Sequence, residues 1–340
     1  WQKNNMALLA INGGEKVLKK PLSRVSNIGV EEEEAAVRVI RSGVLSDYVG
    51  VPGEFFLGGK EVRAFEQLMC ETFKVKHAVS VNSATSALHS AIVALGIGPG
   101  DEVIVSPYTM SASATAILMN GAVPIFADIE EDTYCLDPKS VEERITARTK
   151  AIMVVNLFGG VARFDELKAV ADKHSLRIIE DNAQSPGAIY KGQYAGTLAD
   201  IGVFSFNVHK VIQSGEGGVL VTNDDEYAIR AQMSRNHGEV YADLVGSVTN
   251  KAIFGSNYRM TELHAAICAE QLKKIDFLND KRLLLVDRLT KGLVGIPGMV
   301  LPTVLPDTKH VFYVYPIRLT QEFPIARDRF VDAMAAEGFP

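Results

Sequence analysis

The chain has 340 residues, 47% hydrophobic and 22% charged, with a formal net charge of −6. That length supports one large core plus a smaller domain, and the acidic balance offers no general attraction for nucleic acid or an anionic membrane. Cys70, Cys135 and Cys268 lie far apart with no CxxC spacing, which excludes a disulfide scaffold and a structural zinc site and reads as the reduced thiols of a cytoplasmic protein.

In chain order, residues 1–60 read as a helix and a long irregular arm marked by Gly43, Gly50, Gly53, Gly58 and Gly59. Met6 reads as a natural start, and the opening WQKNN lacks the basic and apolar regions of a secretory signal. From about residue 77, short β-branched runs alternate with helical patterns. A run at 78–81 precedes a helix over 85–95, and a run at 102–106 precedes a helix over 109–120. Runs at 124–128 and 151–157 follow, with helices over 138–145 and 164–174. Runs at 177–181, 201–206 and 218–222 complete the series. None of the apolar runs is long enough to span a bilayer. The alternation predicts an α/β domain over 61–257, its mostly parallel sheet buried on both faces. Residues 260–290 read as one long helix. β-runs over 311–319 and a helix over 325–337 then open a smaller domain within 258–340, which stops before an expected return strand, so the chain reads as ending early.

In such sheets ligands collect at the carboxyl ends of the strands. The segments 82–85, 177–181 and 205–210 each stand there. Asn82-Ser83-Ala84-Thr85, at a strand-to-helix junction, offers hydroxyls and free amides suited to a phosphate, or else simple helix capping. Asp181 ends a buried strand, where a carboxylate either holds a pyridine nitrogen protonated or caps a turn. Lys210 lies in a polar turn with Ser205, Asn207 and His209, just before the glycine-rich Ser214-Gly-Glu-Gly-Gly. A lysine beside flexible backbone can meet a cofactor aldehyde as a Schiff base, although most lysines are solvated surface charges. His209 points away from its neighbour in an extended turn, so a structural role is expected of it. No metal is called for. A nicotinamide-binding fold is disfavoured because no GxGxxG follows the first strand.

Taken in order, VNSATSALHSAIVALGIGPGDEVIVSPYT, IIEDNAQSPGA, DIGVFSFNVHKVIQSGEGGVLVTNDD, RNHG and NYRMTELHAAICAEQLKKID resemble the DegT/DnrJ/EryC1/StrS aminotransferases. The likeness runs from about Leu9 to the chain end. It implies a fold-type I pyridoxal-phosphate enzyme: a seven-stranded, mainly parallel sheet with one antiparallel strand, at 218–222, plus a smaller C-terminal α+β domain. It also implies a homodimer with shared active sites. By the same resemblance Lys210 matches the lysine that carries the cofactor, Asp181 the partner of the pyridine nitrogen, and Gln184 the residue near the phenolic oxygen. Ala84, Thr85 and Ser205 match the phosphate cradle. Within 256–259, either Asn257 or Arg259 matches the residue that reaches the neighbouring subunit's phosphate. The ring-stacking position, commonly aromatic in the family, aligns with Met110, and a one-residue slip brings Tyr108 close. Asn182 and Pro186 replace smaller or polar residues and are expected to reshape the substrate side. The implied activity is amino transfer from glutamate or glutamine to a keto-sugar, most simply nucleotide-linked, for amino-sugar and polysaccharide biosynthesis. The alternatives are a keto-inositol aminotransferase, a sugar dehydratase on the same scaffold, or a non-catalytic regulator that keeps the fold.

Overall fold

The computed structural model describes residues 8–22, 26–50, 53–239 and 253–339. They divide into two units. The described parts of Ile28–Val286 and Thr303–Tyr315 form the larger, and those of Trp1–Asn27, Asp287–Pro302 and Pro316–Pro340 the smaller.

In the larger unit α1 (Val30–Ser42) begins where the Glu32 carboxylate accepts the Gly29 amide at 2.7 Å, and it stops at Gly43, whose φ of +75° suits glycine. The series continues through α2 (Lys60–Phe73), β1 (His77–Val81), α3 (Ala84–Ala94), β2 (Glu102–Val105) and α4 (Ala112–Met119). It then runs through β3 (Val123–Phe126), α5 (Pro138–Glu143), β4 (Thr149–Val155), α6 (Phe164–Lys173) and β5 (Arg177–Asp181). A short hairpin of β6 (Ile189–Tyr190) and β7 (Gln193–Tyr194) leads to β8 (Ile201–Ser205), β9 (Gly218–Thr222), α7 (Asp225–Arg235), α8 (Glu262–Leu272) and α9 (Ile275–Leu293), whose residues from Asp287 onward belong to the smaller unit. β10 (Met299–Val300) belongs to the smaller unit, and β11 (Thr308–Lys309) returns to the larger to pair with β6. In the smaller unit β10 pairs with β12 (Arg318–Leu319). There α10 (Arg327–Ala336) ends at Glu337, whose carboxylate accepts the amides of Ala10 at 2.8 Å and Val17 at 3.0 Å.

The seven-stranded sheet has the order β1-β9-β8-β5-β4-β2-β3, and β9 runs antiparallel to both its neighbours while the remaining pairs are parallel. The expected single reversed strand at 218–222 is therefore present. Helices cover both faces. On one, Leu88, Ala91 and Ile92 of α3 pack on Val79, Ile179 and Leu220; on another side Phe65 and Met69 of α2 pack against Phe204, Phe206 and Val219. Strands buried on both faces must be continuously apolar, as β4 is from Ala151 to Val155. With this order the carboxyl ends of β1, β5 and β8 lie on one edge of the sheet.

Four expectations shift. The helix expected over 260–290 is two helices, because Lys274 N–H donates to Gln271 O, three residues back, and tightens the last turn of α8. The Lys274 amine then pairs with Glu31 and Glu32 of α1. The helix expected from 109 starts only at Ala112, since the Ser106 hydroxyl takes the Tyr108 amide and holds 107–111 as a turn. The run at 311–319 is not one strand, because Phe312, at φ +49°, turns the backbone between β11 and β12. The unit boundaries also fall elsewhere than at 60/61 and 257/258. Ala35 and Val39 of α1 bury against Ala266 of α8, and the Glu262 carboxylate takes the amides of Gly59 and Glu61, which joins these segments to the sheet.

Candidate active site

A cavity of about 370 Å³ opens at the carboxyl ends of β1, β5 and β8. It brings together Ala84, Thr85, Met110, Asp181, Gln184, Ser205 and Lys210, and adds His209, Glu216 and Tyr313.

Each group is placed by local geometry that the chain can be seen to require. At the start of α3 the Ser83 hydroxyl accepts the Ser86 amide at 3.1 Å and its carbonyl accepts that of Ala87. The amides of Ala84 and Thr85 thus fall in the first turn, ahead of the helical ladder, where an anion is favoured. Gly218 makes this cradle possible: a Cβ there would stand 2.5 Å from the Ala84 nitrogen, so only glycine lets the loop after Lys210 close on the helix start. The Ser205 hydroxyl lies buried beside it at the end of β8.

Asp181 is buried, and both its oxygens are engaged. Oδ2 accepts the Ser113 hydroxyl at 2.9 Å and Oδ1 the Ala183 amide at 3.2 Å. Burial pushes its proton affinity up, while the Ala183 amide, the Ser113 hydroxyl and the charge of Lys210 act against that rise. Lys210 moves the other way: burial pushes its amine down, with Asp181 opposing. The lysine turn is built by Asn207, whose Oδ1 accepts the His209 amide at 3.1 Å and whose carbonyl accepts the Lys210 amide at 2.8 Å. The same side chain donates to Glu216 at 3.0 Å, so the turn and the glycine loop are tied together. Behind the sheet edge, Glu180 accepts Asn156 Nδ2 at 2.7 Å and the Leu198 amide at 3.1 Å, which fixes the end of β5 from below.

Gln184 accepts the Phe158 amide at 2.8 Å through Oε1, leaving its NH₂ as the group able to donate. Met110, 70% exposed, lies on the cavity rim. Tyr108 packs with Tyr134 at 6.2 Å and Phe158 at 6.1 Å and does not line the cavity, so of the two stacking candidates the cavity takes Met110. Asn257 and Arg259 do not line the cavity. Asn257 O accepts Asn82 Nδ2 at 3.2 Å, its Oδ1 accepts Arg259 Nε at 2.8 Å, and Arg259 bridges by backbone to Val81, beside the cradle but outside it. Asn182 and Pro186, expected on the substrate side, also lie off the cavity. The Asn182 amide donates to Ser185 O and Ala195 O, and Pro186 O accepts Asn279 Nδ2 at 3.0 Å. Among the described residues no cluster of three His, Cys, Asp or Glu side chains is placed to hold a metal.

Three contributors escaped the sequence reading. Asn207 had a signal, an Asx-turn spacing two residues before His209. Ser113 and Tyr313 had none, because each enters from an element remote in sequence. The arrangement fits a flat, phosphorylated pyridine. An anion cradle stands at one end, a buried carboxylate with fixed oxygens is available to a ring nitrogen, and an amine held below its ordinary proton affinity is available to an aldehyde.

Comparison with known proteins agrees. The model of the DegT/DnrJ/EryC1/StrS aminotransferase family matches residues 50–339. The chain is 38% identical to the GDP-perosamine synthase of Caulobacter vibrioides over 300 residues, covering 83% of this chain and 76% of that one. It is 37% identical to the L-glutamine:2-deoxy-scyllo-inosose aminotransferase of Streptomyces paromomycinus over 92% of this chain and 74% of the relative. Among solved structures, S. venezuelae DesV in complex with a ketimine intermediate superposes with a TM-score of 0.81 at 36% identity, covering 92% of this chain and 78% of that one. This chain therefore belongs to the DegT/DnrJ/EryC1/StrS family and is a pyridoxal-phosphate-dependent aminotransferase of fold type I.

Proposed function

We propose that this aminotransferase moves the amino group of glutamate or glutamine onto a keto-sugar carried by a nucleotide, for amino-sugar biosynthesis. The observation that carries the assignment of residues is the convergence of Lys210, Asp181 and the Ala84–Thr85 helix start on one cavity. The substrate class is supported by the likeness to GDP-perosamine synthase. A keto-inositol is the second reading, favoured by the likeness to the inosose aminotransferase over 92% of this chain. A cytoplasmic homodimer is part of the proposal; the three cysteines are free thiols, two of them buried, and no described helix is long and apolar enough to cross a membrane.

Bound pyridoxal phosphate supplies an aldehyde that joins an amine and a ring that accepts electrons. The Ala84 and Thr85 amides and the Ser205 hydroxyl hold its phosphate. Asp181, its oxygens fixed by Ser113 and Ala183, keeps a proton on the ring nitrogen, which lowers the cost of negative charge developing at the donor Cα. Gln184 donates toward the phenolic oxygen and Met110 covers a ring face with a polarizable thioether. Lys210 would be the lysine that joins the cofactor aldehyde, and as a free amine it would take the proton from the donor Cα and return it one atom away. Burial lowers its proton affinity, with Asp181 opposing, which favours that exchange. Asn257 and Arg259 are proposed to face a second subunit, one or the other meeting its phosphate.

Visible absorbance with and without borohydride tests the reading. Wild-type protein given cofactor should show a long-wavelength band, and reduction should fix the cofactor to the peptide containing Lys210. Lys210→Ala should lack both, with turnover reduced at least on the order of 10³-fold. Cofactor fixed to any other lysine would remove Lys210 from the role.

A further inference from the structure

Lys210 Nζ stands 4.6 Å from the centroid of the Tyr313 ring. Tyr313 reaches the cavity on a segment that is unusually well tied for a loop. The Val311 amide donates to Gly159 O at 2.8 Å and the Val314 amide to Phe158 O at 3.1 Å, one on each side of the tyrosine. Gly159, at φ +100°, permits the approach: a Cβ there would stand 2.5 Å from the Tyr313 nitrogen. Phe158 and Phe312 both sit at positive φ, +59° and +49°. Side chains resist that conformation, and it persists only where the surroundings impose it. The His310 ring packs on Phe312 at 3.9 Å and its Nδ1 accepts the Phe312 amide at 2.9 Å, which supplies part of that imposition.

We propose that Tyr313 is a positioning residue for Lys210, its ring face holding the lysine ammonium that forms once the free amine has taken up a proton. The proposal rests on the reading of Lys210 given above. An ammonium over an aromatic face is attracted by the ring quadrupole, and the attraction grows when water is excluded. Here the amine is largely buried, and burial alone disfavours its charged form. Asp181 and the tyrosine ring both act in the opposite sense. Glu216 and His209 also line the cavity, but both are exposed, and Glu216 is engaged by Asn207. Arg282 stands near Tyr313, its own proton affinity pushed down by burial with the tyrosine opposing. The ring therefore does two things for a free Lys210: it keeps Nζ inside the cavity and it raises the share that carries a proton to return to carbon.

The test uses the holoenzyme in its amine-cofactor form, in which Lys210 is free. Acetylation of Lys210 by acetic anhydride is followed across pH by peptide mass spectrometry. Tyr313→Leu should lower the labelling midpoint by about 0.5–1 pH unit, which is three- to tenfold more labelling below the midpoint. Tyr313→Phe keeps the ring face and should follow the wild type. A wild-type midpoint in Tyr313→Leu overturns the proposal, and so does a phenylalanine variant shifted as far as leucine. Should Tyr313→Leu fail to fold, Tyr313→Trp, with the stronger ring face, should raise the midpoint, and no rise there is equally fatal. Failure of borohydride to fix cofactor at Lys210 in the wild type would instead remove the underlying site reading, so the two failures are distinguishable.

Discussion

The cavity has two walls built on different principles. One is made of strand ends: Asp181, Ser205 and the start of α3 stand where the sheet order puts them, and the lysine turn follows directly from β8. The other is made where residues 157–160 meet residues 311–314, two stretches far apart in sequence and joined by backbone hydrogen bonds around Gly159. The first wall carries the groups that would hold the cofactor and its charge. The second carries Tyr313 and, through Phe158, the grip on Gln184. The contrast separates a wall set by sheet order, where Asp181 and Lys210 stand, from one set by a loop crossing, which brings Tyr313 to the lysine.

The comparison breaks first at Asp181. Asp181→Asn should keep the cofactor but lose turnover on the order of 10²–10³-fold, because a neutral amide cannot stabilise a protonated ring nitrogen. Unchanged turnover would show that the strand-end wall does not supply the charge. The same carboxyl has its proton affinity raised on folding, so the stability it contributes is present below the ordinary carboxylate range and lost as pH rises through its folded value. Without cofactor at pH 7, Asp181→Asn should therefore melt at a higher temperature than wild type. A lower melting point would mean that the Ser113 and Ala183 bonds outweigh the cost of burial.

Two glycines separate the walls. Gly218→Ala forces a methyl onto the cradle and should weaken cofactor binding about tenfold or more, measured by absorbance titration. Gly159→Ala presses instead on the Tyr313 backbone. It should cost about 1–3 kcal/mol in urea unfolding while leaving cofactor affinity within about threefold. Equal effects of the two on affinity would show that the walls are one structure.

The smallest expected effect sharpens the second wall alone. Burial pushes the His310 imidazole down to about 4. A histidine depressed on folding contributes stability that is present above its ordinary value of about 6.5 and lost as pH falls toward its folded one. The urea midpoint should therefore drop by about 0.2–0.5 M between pH 7 and pH 5, and His310→Gln should flatten that slope. A slope that survives the substitution would place the titration elsewhere.

How much of this could be read from residues alone follows the same division. The parallel series and the strand-end placing of 82–85, Asp181 and 205–210 were legible because strand periodicity and strand-end position are local properties of sequence. The reversed strand at 218–222, the individual cradle residues and Met110 came instead from the resemblance to the family. Tyr313 was not legible, since nothing near residue 313 indicates which strand end it will meet. The break between α8 and α9 was hidden because apolar spacing continues across Lys273-Lys274 while the hydrogen-bond ladder does not. Asn182 misled for a simple reason. It departs from the pattern of the family it resembles, which pointed to the substrate side, yet its side-chain amide is spent within the fold on Ser185 O and Ala195 O.

The hydrogen bond from the Phe158 amide to Gln184 has a consequence for polarity. A free carboxamide can rotate and offer either a lone pair or a proton to whatever faces it. With its oxygen turned to the Phe158 amide, this one has its NH₂ free to give. Because a carboxamide does not ionise across the range in which enzymes work, that bias cannot be reversed by acid or alkali, and an electron-rich oxygen arriving at this spot meets a donor at every pH.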